Sequence, residues 1–268
     1  MAEGLLADLR NPDGGFGARA GQPSEAEPTA LAAIALDEPG ARAWLERSQR
    51  LDGSFGVMVG PYLNDTATGL AAIALSGEPR ERALDHLERV RGERIDSSPV
   101  LPIDPDALGW PWTLGTASWT EPTARAVLAL RIGRPGSASI DDGIALLRDR
   151  EAVGGGWNYG NRIVFGVDLP PFTQTTAIAL AALRGTDASL ESRGLDVLRW
   201  LWRIESSGGL SVATAIAALR LYGDDAEADA ATAVLDRLLA ETGLQGDGVA
   251  LAWSVLATGD GLRALEAP

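Results

Sequence analysis

Thr29-Ala30-Leu31-Ala32-Ala33-Ile34-Ala35-Leu36 is the stretch on which the fold turns, because it comes back almost unchanged as Thr68-Gly69-Leu70-Ala71-Ala72-Ile73-Ala74-Leu75. The pattern returns as Thr123-Ala124-Arg125-Ala126-Val127-Leu128-Ala129-Leu130, again from Thr176 to Leu183, and more loosely from Thr214 to Leu221. A degraded sixth copy, Val249 to Leu256, keeps Ala250, Leu251, Ala252 and Leu256. Six copies average roughly 45 residues each, the length of a helical-hairpin repeat. The alanine-rich copies are apolar nearly all round and carry few charges, so each reads as a helix buried on most sides. Pro28 and Pro122 stand where the first turn of a helix tolerates proline.

Two further elements accompany each copy. A glycine-aromatic turn precedes it: Asp13-Gly14-Gly15-Phe16-Gly17, Asp52-Gly53-Ser54-Phe55-Gly56, Gly109-Trp110-Pro111-Trp112 and Gly154-Gly155-Gly156-Trp157. Ser207-Gly208-Gly209-Leu210 and Gly246-Asp247-Gly248 are weaker forms. Upstream of the turns lie amphipathic stretches, with Ile140, Ile144 and Leu147, or Leu190, Val197, Leu198 and Leu201, at helical spacing and charges on the opposite face. Amphipathic helices alternating with buried ones predict an outer ring around an inner ring. The expected fold is all-α, one (α/α)6 toroid of six hairpins spanning residues 1–268. An open solenoid is the structural alternative, but it calls for polar-faced end caps, and none stands out.

Composition narrows the chemistry. All 23 basic residues are arginine, so Schiff-base and phosphate-loop lysines are ruled out. The net charge of −14 argues against nucleic acid and anionic membrane surfaces. With no cysteine, disulfides, thiolate nucleophiles and thiolate metal sites are impossible. The N-terminal residues lack the basic start and apolar run of a signal peptide, and no stretch approaches a membrane span, so a cytoplasmic location is expected.

The order Asp-Gly-Gly-Phe-Gly, a spacer, Pro-Thr-Ala and an alanine-leucine helix resembles the prenyltransferase and squalene-cyclase repeat over essentially the whole chain. That resemblance implies an α/α toroid, with functions ranging from terpene cyclisation to zinc-dependent prenyl transfer and thioester chemistry. Zinc and thioester forms need cysteine, which this chain lacks, and His86, in the charged stretch Arg82–Glu88, reads as a surface residue. No metal or other cofactor is expected. Class II cyclases protonate their substrate with the middle Asp of an Asp-x-Asp-Asp-Thr-Ala motif opening an inner helix. The best matches here are Glu25-Ala26-Glu27-Pro28-Thr29-Ala30 and Trp119-Thr120-Glu121-Pro122-Thr123-Ala124, which put Glu27 and Glu121 in the acid's place. The other copies put Thr66, Gln174, Val212 and Asp247 there, and none has the full motif.

Equivalent positions circle one end of a ring, so Glu27, Glu121, Thr66, Gln174 and Asp247 are expected to form a polar rim at its mouth. Acids capping helix N-termini are the structural reading of the same pattern. If two carboxylates face each other across the rim, one pKa should rise and supply an acid. The long third and fourth loops carry Trp112, Trp119, Tyr159, Arg162 and Phe172. The four aromatics are read as lining a cavity and Arg162 as meeting an anionic group or pairing with Asp168. Trp110 and Trp157 are read as wedges between hairpins, and Asp104-Pro105-Asp106 as a surface turn. The leading function is an isoprenoid-handling, cyclase-like protein that holds an apolar ligand in a central aromatic-lined cavity, with Glu27 or Glu121 as general acid. The alternative is a non-catalytic toroid binding an apolar ligand or partner protein. A third reading is glycoside chemistry on the same two glutamates.

Overall fold

The computed structural model describes residues 1–56 and 65–267. In chain order its helices are α1 (Ala2–Ala7), α2 (Ala26–Ala35), α3 (Pro39–Ser48), α4 (Thr68–Ala74), α5 (Gly77–Arg89), α6 (Thr120–Gly133), α7 (Ser139–Asp149), α8 (Thr173–Leu183), α9 (Ala188–Ile204), α10 (Gly209–Leu221), α11 (Asp225–Thr242) and α12 (Gly248–Thr258). A two-stranded hairpin, β1 (Ile163–Val164) and β2 (Val167–Asp168), lies in the fourth loop, and a 3-10 segment, Asp260–Leu265, follows α12. The protein is thus mainly helical, as the repeat predicts.

Each alanine-rich copy falls on one of α2, α4, α6, α8, α10 and α12. These helices pack on one another in sequence, α2 on α4, α4 on α6, α6 on α8, α8 on α10 and α10 on α12, and α12 packs in turn on α2. Their residues are buried almost throughout: all but Gln174 in α8, for example. Small side chains allow that closeness. Gly69 of α4 faces the Arg125 carbonyl of α6, and an added Cβ would meet that oxygen at 2.8 Å.

The amphipathic helices pack on the outside, α3 on α2, α5 on α4, α7 on α6, α9 on α8 and α11 on α10. The partner of α12 comes from the opposite end of the sequence, since α1 packs on it. One hydrophobic cluster runs from Leu6 to Ala267.

The repeat threonine has a defined task. In four copies its hydroxyl accepts the backbone N–H of the turn aromatic: Thr29 from Phe16 at 2.9 Å, Thr68 from Phe55 at 2.9 Å, Thr123 from Trp110 at 2.9 Å and Thr176 from Trp157 at 3.0 Å. A buried N–H inside a turn has no ladder partner, so the threonine satisfies it and locks turn to helix. Trp110 and Trp157 are the wedges the sequence predicts. Both are buried, and each indole N–H caps a carbonyl near the end of the preceding outer helix, Leu87 O at 2.9 Å and Leu147 O at 2.7 Å. Each ring lies over an outer-helix glycine, Gly143 or Gly194, where a Cβ would meet it at 2.9 Å. The fifth element differs from expectation: Gly209-Leu210 is already the first turn of α10, and Thr214 bonds back to the Leu210 carbonyl of its own helix.

His86 also departs from its sequence reading. It is 3% exposed, its Nε2 lies 2.8 Å from Asp65 Oδ2, and its Nδ1 lies 3.8 Å from Asp52. Its charged neighbours in sequence occupy the other faces of α5, while His86 points at the turn and at the residues leading into α4. Asp104-Pro105-Asp106 is a surface turn, with Asp106 N–H donating to Asp104 and Asp106 paired with exposed Arg94. Among the described residues no helix is long and apolar enough to cross a membrane.

Candidate functional site

The N-terminal ends of the alanine-rich helices meet at one end of the bundle. Glu27 stands in the first turn of α2, Glu121 in the first turn of α6 and Gln174 in the first turn of α8. What joins them is Arg125, one turn further along α6. Its Nη2 donates to Glu27 Oε1 at 2.5 Å and to Glu121 Oε1 at 2.5 Å, and Gln174 Nε2 reaches Glu121 at 3.4 Å. Two of the six equivalent rim positions thus share one guanidinium, and a third touches the cluster through its amide.

The sequence reading passed over Arg125, although the signal was present. Its position in the other copies holds Leu31, Leu70, Ile178, Ile216 and Leu251, all buried core residues. An arginine there has to find carboxylates, because an unpaired buried charge is among the costliest groups a fold can hold. The cluster is still short of positive charge, with one guanidinium for two carboxylates. Burial works against the charge of Arg125, and the charges of Glu27 and Glu121 outweigh it, so its pKa is raised. Burial pushes the Glu121 carboxyl up; Arg125 opposes this, and the nearby charge of Glu27 adds to it. The same crowding reaches outward. Burial and then Glu27 raise Glu25, while burial and then Glu121 and Glu205 raise the Tyr159 phenol. Two carboxylates share one guanidinium at this end of the bundle, which is therefore electrostatically negative.

The remaining rim residues separate. Asp247 is the N-cap of α12, its Oδ1 accepting Ala250 N–H at 2.9 Å. Thr66 is buried ahead of α4. A groove of about 380 Å3 opens beside the cluster, bounded by Gln174, Ser207, Ser211, Leu244, Gln245 and Asp247. Gln174 therefore belongs both to the groove and to the acid cluster.

The aromatic residues expected inside a cavity lie on the outside of this end instead. Trp119 (37% exposed) and Phe172 (38%) are the N-cap residues of α6 and α8, and Tyr159 (44%) comes from the loop between. The Tyr159 and Phe172 rings stand 5.3 Å apart, and Trp119 packs over Gly160. Trp112 is half-buried in a loop closed by the Pro111–Ser118 bridge. Arg162 precedes the β1–β2 hairpin; its Nε is buried without a protein acceptor, and it makes no ion pair with Asp168 among the described residues.

The centre of the bundle is nearly full. The described residues leave about 10 Å3 there, the space of one water, among Leu70, Arg125, Leu128, Ile178, Trp253 and Leu265. Trp253 supplies the aromatic ring at the centre, at the place that Ala33 and Ala72 hold in earlier copies.

No protein-family model and no curated protein matches this chain. Solved structures do resemble it. A protein from Actinoplanes is 16% identical with a TM-score of 0.61, over 98% of this chain and 97% of that one. A structure described as a novel alpha-amylase from Clostridium perfringens is 10% identical with a TM-score of 0.63, over 96% of this chain and 97% of that one. At such identities the likeness is one of fold.

Proposed function

We propose that the chain is a non-catalytic (α/α)6 toroid that binds its ligand or partner on the loop-bearing mouth. The toroid reading is supported by the cycle of packed inner helices, α12 against α2 included, and by α1 completing the sixth hairpin. The functional reading rests on one observation. The axis keeps about 10 Å3, whereas pockets that enclose small molecules are typically ~300–1,000 Å3. An isoprenoid chain has no room there, while Trp119, Tyr159 and Phe172 are exposed, and a groove opens at Gln174 and Asp247.

One observation favours the enzymatic reading as second: the raised pKa of Glu121 suits a general acid. Against it, both glutamates are bound by Arg125, and Glu121 is shut inside the cluster. The same bridge weighs against glycoside chemistry, which needs the sugar between the two carboxyl groups.

The test is native mass spectrometry of protein purified from its own cells, followed by NMR of the tryptophan indole N–H signals with whatever co-purifies. A mouth ligand or partner shifts Trp119 and leaves Trp253 still. A co-purified isoprenoid that shifts Trp253 refutes the mouth reading, and loss of isoprenoid turnover in Glu121→Gln would establish the enzymatic one.

A further inference from the structure

We infer that the occupant of the mouth is a partner protein, which lays an extended, arginine-bearing segment along a strip from Trp119 through Tyr159 and Phe172 to Asp247. This rests on the mouth reading and names the chemistry of what binds there.

The strip is continuous. Trp119 packs over Gly160, next to Tyr159, whose ring stands 5.3 Å from that of Phe172. Thr173, which follows Phe172, gives its N–H to Glu205 at 3.3 Å, and Glu205 also accepts the Ser211 hydroxyl at 3.1 Å. Ser211 in turn lines the groove that Asp247 borders. The aromatic part is held in place before anything binds. The Tyr159 carbonyl accepts Thr120 N–H at 3.0 Å, and Phe172 N–H donates to Trp157 O at 2.9 Å. Backbone fixed in this way lowers the ordering cost of association.

Length selects a chain over a small molecule. Trp119 and Phe172 cap α6 and α8, Ser211 lies in the first turn of α10, and Asp247 caps α12. These four helices pack in succession. Three spacings of about 8–10 Å give a path of about 25–30 Å. An extended chain covers about 3.3 Å per residue, so about eight residues follow that path, with alternate side chains turned to the same side.

Charge selects arginine. Among the described residues Glu205 accepts only neutral donors, and Asp247 accepts only Ala250 N–H. Arg125 is buried and committed to Glu27 and Glu121. Arg19, exposed at the edge of the groove, is held on the Gln245 carbonyl at 2.6 Å. Carboxylates therefore outnumber guanidiniums along the strip. Their field reaches the rings: after burial, the charges of Glu121 and Glu205 are what raise the Tyr159 phenol. Ring faces beside carboxylates that lack a cation attract one. A guanidinium suits such a surface better than an ammonium, because it is planar, stacks on aromatic faces, gives up water more readily and forks onto a carboxylate.

The probe is an acetylated, amidated octapeptide alternating glycine and arginine, titrated against the full chain while the Trp119 indole N–H signal is followed by NMR. A net charge of −14 attracts any polycation, so the controls decide the outcome. The expected result is a shift at Trp119 with Trp253 unmoved. The citrulline version of the peptide, which keeps the shape and loses the charge, should bind about tenfold more weakly. The Tyr159→Leu, Phe172→Leu double variant, which keeps an apolar surface and loses the rings, should weaken the arginine peptide about tenfold as well. Glu205→Gln keeps an acceptor for Thr173 and should also weaken binding. Equal binding of the citrulline peptide, undiminished affinity in either folded variant, or no binding at all overturns the proposal. N-acetyl-arginine amide binding as tightly as the octapeptide overturns the extended segment. Self-association of the chain that the double variant abolishes makes the occupant a second copy and overturns the proposal too. The mouth reading fails separately, on a co-purified ligand that shifts Trp253 and leaves Trp119 still.

Discussion

Replacing Arg125 with methionine, which keeps most of the side-chain volume and removes the charge, tests the account of the acid cluster. Arg125 and Glu121 each have side chains only 4% exposed, whereas Glu27 is 23% exposed and can turn to water. The cost therefore falls on Glu121, left as a buried carboxylate without a counter-charge, and breaking such a pair costs about 3–5 kcal/mol. For a chain of this size that is a fall in Tm of roughly 6–15 °C. Glu121 has one escape, which is to take a proton. Its folded-state pKa is already raised by burial and rises further without Arg125. A group whose pKa is higher in the folded state stabilises fully below its unfolded value, and that contribution is lost as pH rises through the folded value. The penalty of Arg125→Met should therefore shrink on acidification, by up to about 1.4 kcal/mol per pH unit across that window. Chemical denaturation at pH 7.5 and 5.5 measures it, and adding Glu121→Gln should recover most of the loss at pH 7.5. A penalty under about 1 kcal/mol, or one equal at both pH values, would refute the reasoning.

Other substitutions examine separate parts of the argument. Thr123→Val keeps the shape but leaves the buried Trp110 N–H without its acceptor, and should cost about 1–3 kcal/mol in urea unfolding. Gly143→Ala places a methyl 2.3 Å from Val127 Cγ2 and 2.9 Å from the Trp110 ring, an overpacking worth about 1–3 kcal/mol in the same assay. His86→Leu should destabilise by more than about 1.5 kcal/mol, because Asp65 loses its buried partner; a surface histidine would show no change. Alanine at Tyr159 and Phe172 should leave Tm within a few degrees, since both are partly exposed, while abolishing retention of whatever binds the mouth.

Much of the architecture is legible in the sequence. The six alanine-rich copies each mark one of six buried helices, though not where it begins, because a side-chain pattern without a polar face can only be buried. Trp110 and Trp157 were legible as wedges because glycine before an aromatic signals a tight turn with a ring packed back. The site was half legible. Repeat equivalence located Glu27, Glu121 and Gln174 at one end, yet missed Arg125, which stood in plain view at a leucine position. His86 reads as a surface residue because its charged neighbours on α5 mask the buried face on which it lies. The exposed aromatics were misplaced because an aromatic residue in a loop carries no mark of which way it turns.

Local sequence determined the helices, their threonine-locked turns and which of them must be buried, since these follow from periodicity and from hydrogen bonds thirteen to nineteen residues apart. Tertiary structure alone decided that Glu27 and Glu121 share one guanidinium across 98 residues, that α1 pairs with α12, and that Trp253 and Leu265 fill the centre. Those outcomes depend on the way six helices converge on one space. A single side chain can fill or empty such a space, and no repeat unit contains that information by itself.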